Sequence, residues 1–326
     1  MGRNWGRNLL DNSERVELAG WVDVVPGLAS DAAQAVGRPG LWTGTDLEEA
    51  LDALAPDFVV DVTVPEAHRD VTLAALSRGI PVLGEKPMAE SMDSAREMVR
   101  ASEESGALYM VSQSRRYDHR IVAARTEIRD RLGRLGMLHA DFFLGCHFGG
   151  FRDAMASVLL LDMAIHTFDA ARFLCGEDPV SVYAEEFNPS WSWYRGAACA
   201  NCLFEMTNGV RFTYRGSWCA EGLPTSWESD WRAVGERGTV CWDGFEGIRS
   251  EVVAGDSGFV RPVDSRELAI GPDAPSGIAG SLMDFLDALD TGQSPMGECH
   301  DNIKSLAMVF AAIESARTGE RVPVLV

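Results

Sequence analysis

Three short apolar runs, residues 58–62, 80–83 and 108–111, are separated by stretches of helical period, and this alternation limits the possible folds more than any other feature of the chain. The stretch 66–78 is amphipathic and closes at Gly79, and 91–105 starts at Ser91 and stops before Gly106. Upstream, residues 16–23 alternate and end in Asp23, and 28–36 reads as a helix. Residues 46–54 read as another, with Asp46 as N-cap and Glu48 and Glu49 placed to favour the helix dipole. Strands alternating with helices of about 10 to 15 residues predict βαβ units, hence a parallel sheet with right-handed crossovers. Residues 1–117 are expected to form one doubly wound α/β domain.

The rhythm changes after Tyr117. A helix over 118–131 leads to an apolar run at 137–144, a Gly- and Phe-rich loop and a long helix over 159–174. Strands follow at 180–186, 198–206, 210–214, 231–234 and 239–242, and two helices, 278–289 and 300–318, close the chain. Thr207-Asn208-Gly209 predicts a hairpin turn, since Asn-Gly tolerates the positive φ such turns require. Residues 118–326 are expected to form an α+β domain with a large, mostly antiparallel sheet. Helices should cover one face of that sheet, leaving an apolar and aromatic face to pair with a second copy in a homodimer or homotetramer. At 326 residues, two domains fit the usual domain size of roughly 100 to 200 residues.

Acidic residues number 49 against 29 basic ones, and the formal charge of −20 repels phosphate backbones and anionic membrane surfaces. Nucleic acid is excluded as a partner on this ground. No run reaches the ~20 apolar residues of a membrane span, and residues 1–10 lack the apolar core of a signal peptide. The seven cysteines are widely spaced and mostly set in apolar runs, as expected of reduced, buried thiols in the cytoplasm. Cys199 and Cys202 are the one close pair, but they lie in an alternating strand with no further ligands nearby, so no metal site is expected.

Two stretches carry chemistry. Val82-Leu83-Gly84-Glu85-Lys86-Pro87-Met88 is a strand end stopped by proline, which presents Lys86 at the carboxyl edge where open α/β sheets bind ligands. An ammonium there can donate to an oxygen and stabilise negative charge developing on it; the plainer reading is a turn lysine in solvent. Asp162, His166 and Asp169 lie at i, i+4 and i+7, which predicts that all three project from one helix face. An imidazole oriented by a carboxylate is a candidate general base, while the competing reading is a core histidine satisfied by a carbonyl and an aspartate near a helix N-terminus.

These two motifs, in this order and at this separation, resemble the glucose-fructose oxidoreductase, inositol dehydrogenase and MocA family (Gfo/Idh/MocA) over nearly the whole chain. Residues 45–51, 62–68, 231–239 and Arg115-Arg116-Tyr117 match as well. The resemblance implies a Rossmann-type first domain and a dehydrogenase moving a hydride between a carbinol carbon of a sugar, cyclitol or related polyol and the nicotinamide of NAD or NADP. By the same resemblance His166 is the proton acceptor, Lys86 hydrogen-bonds the reacting oxygen and Asp162 places substrate and imidazole. Thr63, Pro65 and His68 fall where the family's fourth-strand loop passes the dinucleotide, Glu85 falls near the nicotinamide, and Arg116 and Tyr117 enter the substrate site. Asp23, at a strand tip, suits a ribose 2′-OH and repels a 2′-phosphate, which favours NAD over NADP; its plainer reading is a turn aspartate. Trp191, Trp193, Tyr194 and Trp218 could stack on a sugar ring, or belong to the sheet core or an interface.

The family opens with a strand and G-x-G-x-x-G, whereas here Gly2 aligns with the third glycine and Met1 falls inside the phosphate loop. The expected sheet therefore has a gap of roughly two spacings of about 4.8 Å where its central strand would run. Met1 is expected to be internal to a longer natural chain, the other reading being a chain impaired in binding a dinucleotide; the alternative to the dehydrogenase function is a catalytically silent binding or interaction protein of the same fold.

Overall fold

Glycine sets how closely the first helix can approach the first strand. Helix α1 (Gly2–Asp11) lies on Trp21 of strand β1 (Gly20–Val22), and a Cβ on Gly6 would come within 2.6 Å of the Trp21 ring. β1 pairs in parallel with β2 (Trp42–Gly44). Strands β3 (Val59–Asp61), β4 (Val82–Glu85) and β5 (Tyr109–Ser112) form a second parallel sheet in the order β3-β4-β5. Among the described residues, 1–271 and 275–326 in this computed structural model, no ladder joins β1 to β3. That gap lies where the central strand of a doubly wound sheet would run.

Helices α2 (Leu28–Ala35), α3 (Leu47–Leu54), α4 (Pro65–Leu76) and α5 (Met92–Ser105) complete the alternation. The sequence-derived caps are present. Asp46 accepts from Glu49 N at 3.1 Å, Ser91 from Ser94 N at 3.2 Å, and α5 ends at Gly106 with φ of 67°. The ladder of β1 begins only at Gly20, so residues 16–19 of the expected strand lie outside it.

The chain divides into two compact units, residues 1–114 with 275–303 and residues 115–274 with 304–326. Sequence reading places all of 118–326 in the second domain, but residues 275–303 pack within the first unit. Helix α8 (Gly277–Thr291) is held there by Asn8 Nδ2 donating to Ile278 O at 2.9 Å and by Arg15 pairing with Asp287 at 2.7 Å and Asp290 at 2.6 Å. Phe285 meets Phe58 edge-on at 5.4 Å, and Val111 N donates to Gly297 O at 2.8 Å. An exposed strand edge and an apolar helix face each gain a partner, which outweighs sequence order.

In the second unit helix α6 (His119–Arg131) precedes β6 (Leu135–Phe143), and helix α7 (Ile165–Cys175) precedes β7 (Pro179–Phe187), β8 (Cys199–Met206), β9 (Arg211–Ser217), β10 (Asp230–Gly235), β11 (Gly238–Trp242), β12 (Ile248–Val253) and β13 (Val263–Glu267). With β14 (Val322–Pro323), which follows helix α9 (Cys299–Thr318), they form a nine-stranded sheet in the order β13-β12-β11-β10-β6-β9-β8-β7-β14. Only the β6–β9 pair is parallel. Asn208 and Gly209 turn β8 into β9 with φ of 53° and 79°. β13 was not legible in the sequence, because it is exposed throughout and carries no alternation.

The covered face of the sheet buries Leu138, Ala140, Phe142, Phe204, Phe212, Tyr214 and Trp231. Phe168 of α7 packs edge-on against Phe204 at 4.9 Å and Tyr214 at 5.3 Å, and each fully buried aromatic contributes about 1.5–3 kcal/mol. The opposite face departs from the apolar expectation. It presents Glu185, Asn201, Thr213, Arg215, Arg232 and Arg249, with Tyr183 and Leu203 among them. A charge laddered opposite its counter-ion, as Arg215 is to Asp141, satisfies a strand face in water without apolar cover.

Candidate active site

The first unit presents its candidates at strand tips. Asp23 follows β1, and its Oδ1 accepts from Val25 N at 2.9 Å, which shapes the turn and leaves Oδ2 for another donor. Thr63 is exposed in the turn after β3, and Pro65 begins α4, where its missing N–H costs nothing. Lys86 is half-buried just past β4 and joined to Pro87 by a cis peptide.

His68 and Glu85, both expected to contact the cofactor, turn inward. His68 is 1% exposed and its Nδ1 lies 2.8 Å from Asp61 Oδ2, while Asp61 Oδ1 accepts from Thr63 N at 3.0 Å and Thr63 Oγ1 at 2.6 Å. The pair therefore shapes the loop that Thr63 occupies. Glu85 is 8% exposed; its Oε1 accepts from Trp5 Nε1 at 2.7 Å and its Oε2 from Lys86 N at 3.2 Å. A buried carboxylate is stable only when hydrogen-bonded, and these two donors commit Glu85 to tying α1 to the end of β4. Neither Trp5 nor Asp61 was singled out by sequence, since both read as ordinary core or strand residues.

NAD suits these residues. α1 has no acidic residue in its first turn, carries Arg3 and Arg7, and begins at Gly2, an arrangement compatible with a pyrophosphate at a helix N-terminus. The second oxygen of Asp23 matches a ribose hydroxyl.

In the second unit residues Leu159–Ala164 form a π-helical turn ahead of α7. Its hydrogen bonds run i→i+5, so the regular α-helical period holds within α7, which carries His166 and Asp169, but is interrupted at Asp162. Asp162 pairs with Arg152 Nε at 2.9 Å, and His166, half-buried, follows four residues later. Asp169 is buried. It takes Arg116 in a two-point pair, Nε to Oδ2 at 2.8 Å and Nη2 to Oδ1 at 2.6 Å, and accepts from Ser305 Oγ at 2.7 Å. Arg172 Nη1 donates to the same serine at 2.9 Å.

Arg116, expected at the substrate, is thus 6% exposed and fixes the turn Ser114–Tyr117, whose last residue, Tyr117, is half-buried. Next to it Arg115 pairs with Glu228 at 3.2 Å; burial lowers the pKa of the guanidinium and raises that of the carboxyl.

The aromatic group splits. Trp218 is buried against Phe142 and Phe148, both edge-on, and Trp191 is exposed. Trp193 Nε1 donates to Cys146 O at 3.1 Å and the Tyr194 hydroxyl donates to the same oxygen, so these two rings anchor the loop that carries Arg152. Burial pushes the Tyr194 hydroxyl up to about 12. Arg152 was missed by sequence; the Gly149-Gly150 step before it, both residues at φ of 70°, was the available signal. Glu298, Cys299 and His300 at the start of α9 bring one ligand atom each within 4.8 Å of one another, but Glu298 Oε2 caps the helix by accepting from His300 N at 3.0 Å.

Among the described residues no helix is long and apolar enough to cross a membrane. Residues 1–113 match the family model described as oxidoreductase family, NAD-binding Rossmann fold, and residues 121–241 match the GFO/IDH/MocA C-terminal domain. An inositol 2-dehydrogenase of Arthrobacter sp. (strain FB24) is 36% identical over 327 residues, covering 99% of this chain and 93% of its own length. A crystal structure of an oxidoreductase from Agrobacterium radiobacter in complex with NAD+, L-tartaric acid and magnesium superposes with a TM-score of 0.84 at 23% identity, covering 98% of this chain and 95% of that one. A levoglucosan dehydrogenase in complex with NADH and levoglucosan gives 0.81 at 19% identity, with 99% and 96% covered. The chain belongs to the Gfo/Idh/MocA family of NAD-binding oxidoreductases.

Proposed function

We propose that this protein is an NAD-dependent dehydrogenase that removes a hydride from a hydroxyl-bearing carbon of a sugar, cyclitol or related polyol, or returns it. NAD, when bound, supplies the hydride acceptor. The chain's own groups do the rest: His166 takes the hydroxyl proton, Lys86 donates to the oxygen as it becomes a carbonyl, and Asp162 orients imidazole and substrate. Asp23 would hold the ribose and disfavour NADP, and Thr63 and Pro65 would line the dinucleotide's path. Arg116 acts as a positioning residue for Tyr117, which contacts substrate.

The observation that carries this reading is Asp162, pinned by Arg152 four residues before the half-buried His166. A carboxylate so fixed can hold an imidazole in one orientation, which a solvated aspartate cannot. The comparisons give no support to a catalytically silent role. The sequence-derived domain boundary near residue 117 is retained as the division between cofactor and substrate functions. A homodimer or homotetramer through the open face of the nine-stranded sheet is part of the same proposal, resting on Tyr183 and Leu203 among its charged residues.

Steady-state oxidation of cyclitols and aldoses with NAD from about pH 6 to 10 tests the reading. His166→Ala should lower kcat by about 10²- to 10⁴-fold with a smaller change in KM, and Lys86→Ala should cost at least as much. Retention of near-wild-type kcat and pH profile by His166→Ala would place the base elsewhere.

A further inference from the structure

Arg152 combines three features not explained by holding Asp162 alone. Its guanidinium lies 5.0 Å from the ring centroid of Phe148 and 4.8 Å from that of Phe151, so two aromatic faces fix its plane. It meets Asp162 through Nε at 2.9 Å, and among the described residues its two terminal nitrogens make no hydrogen bond. Its side chain is 34% exposed while that of Asp162 is 16% exposed. A side-on pair to a carboxylate would engage a terminal nitrogen together with Nε; here the terminal edge is left facing away from Asp162.

The loop beneath it is built to stay in place. Cys146 O takes Trp193 and Tyr194, Asp153 O accepts from Arg195 N at 2.9 Å, and Ala156 O accepts from Ala197 N at 2.7 Å. Gly196 allows this closeness: a Cβ there would meet Met155 O at 2.1 Å and Ala156 O at 2.2 Å. Arg152 is therefore a preorganised planar donor held against Asp162, which precedes His166 by four residues.

We infer that Arg152 selects a carboxylate-bearing substrate, a sugar acid or other polyhydroxy acid, over the neutral polyol of the same size; this rests on the dehydrogenase reading above. The chemistry follows from the terminal edge. Two parallel N–H donors on one plane match the two oxygens of a carboxylate, a geometry that lysine cannot reproduce and that a single hydroxyl only half satisfies. Asp162 already cancels one unit of charge beside the guanidinium, and the chain carries −20 overall. A monoanion suits such a site, whereas a phosphate dianion meets too little positive charge.

The test compares D-gluconate with D-glucose, D-glucuronate with myo-inositol, and D-glucose 6-phosphate, as substrates with NAD and as ligands by calorimetry in the presence of NADH. The acid of at least one pair should exceed its neutral counterpart in kcat/KM by about 10²-fold. Arg152→Gln should lower that ratio at least tenfold, mainly through KM, and Arg152→Lys should recover less than a tenth of the loss. A preference for the neutral member, a preference for the phosphate, or an equal fall for acid and neutral in Arg152→Gln overturns the inference. If nothing is oxidised yet gluconate or glucuronate binds in an Arg152-dependent way, the dehydrogenase reading fails and the selectivity stands. Neither oxidation nor binding of the acids overturns both.

Discussion

The two units hold their candidate residues by different means. In the first, Asp61, Thr63 and His68 lie within eight residues, and the backbone of a parallel sheet delivers Asp23, Thr63 and Lys86 to strand tips with little help from distant side chains. In the second, Arg116 reaches Asp169 across 53 positions and Asp169 reaches Ser305 across 136. A βαβ unit places the end of each strand by its own short connections, so local sequence suffices. A helix lying on an antiparallel sheet has no such constraint on its rotation, and a buried ion pair supplies it. Among the first unit's candidate residues Glu85 is an exception, meeting Trp5 80 positions away.

If this contrast is right, breaking the long-range pair should do most damage. Arg116→Ala leaves Asp169 buried without its cation and should cost about 3–5 kcal/mol in urea unfolding, far more than any cap change in the first unit. A double-mutant cycle with Asp169→Ala should show coupling of about 0.5–3 kcal/mol. A loss below about 1 kcal/mol for Arg116→Ala would remove the distinction between the units.

A second, smaller effect sharpens the picture of the second unit by pH. Burial pushes the Glu186 carboxyl from 4.5 up to about 7, although Ser157 Oγ donates to it at 2.9 Å. The folded state thus favours the protonated form, so its contribution is fully present below about pH 4.5 and is lost as pH rises through about 7. Glu186→Gln should flatten this dependence and stabilise the protein at pH 8 by about 2 kcal/mol, allowing for solvent screening. Unfolding curves of both forms at several pH values check it; an unchanged slope between the two pKa values would refute the assignment.

The smallest effect belongs to the first unit. Asp46→Ala removes the single side-chain cap of α3 and should cost about 1 kcal/mol, read as a small fall in Tm of the whole transition. A loss equal to that of Arg116→Ala would mean that local capping governs the first unit as strongly as the ion pair governs the second.

The sequence by itself determined the parallel alternation, the caps at Asp46 and Ser91, the turn at Asn208-Gly209 and the presentation of Lys86 past a buried strand. These follow from period, φ preference and the arrest of a strand by proline, all properties of neighbouring residues. Only the tertiary structure decided which polar groups turn inward. His68 and Glu85 meet Asp61 and Trp5, Arg116 meets Asp169, and Asp162 meets Arg152. The π-helical turn at Leu159–Ala164 interrupts the regular period ahead of α7, and no helical period in the sequence encodes it. Burial of a charge is settled by whether a distant partner arrives to satisfy it, and that is a property of the folded chain alone.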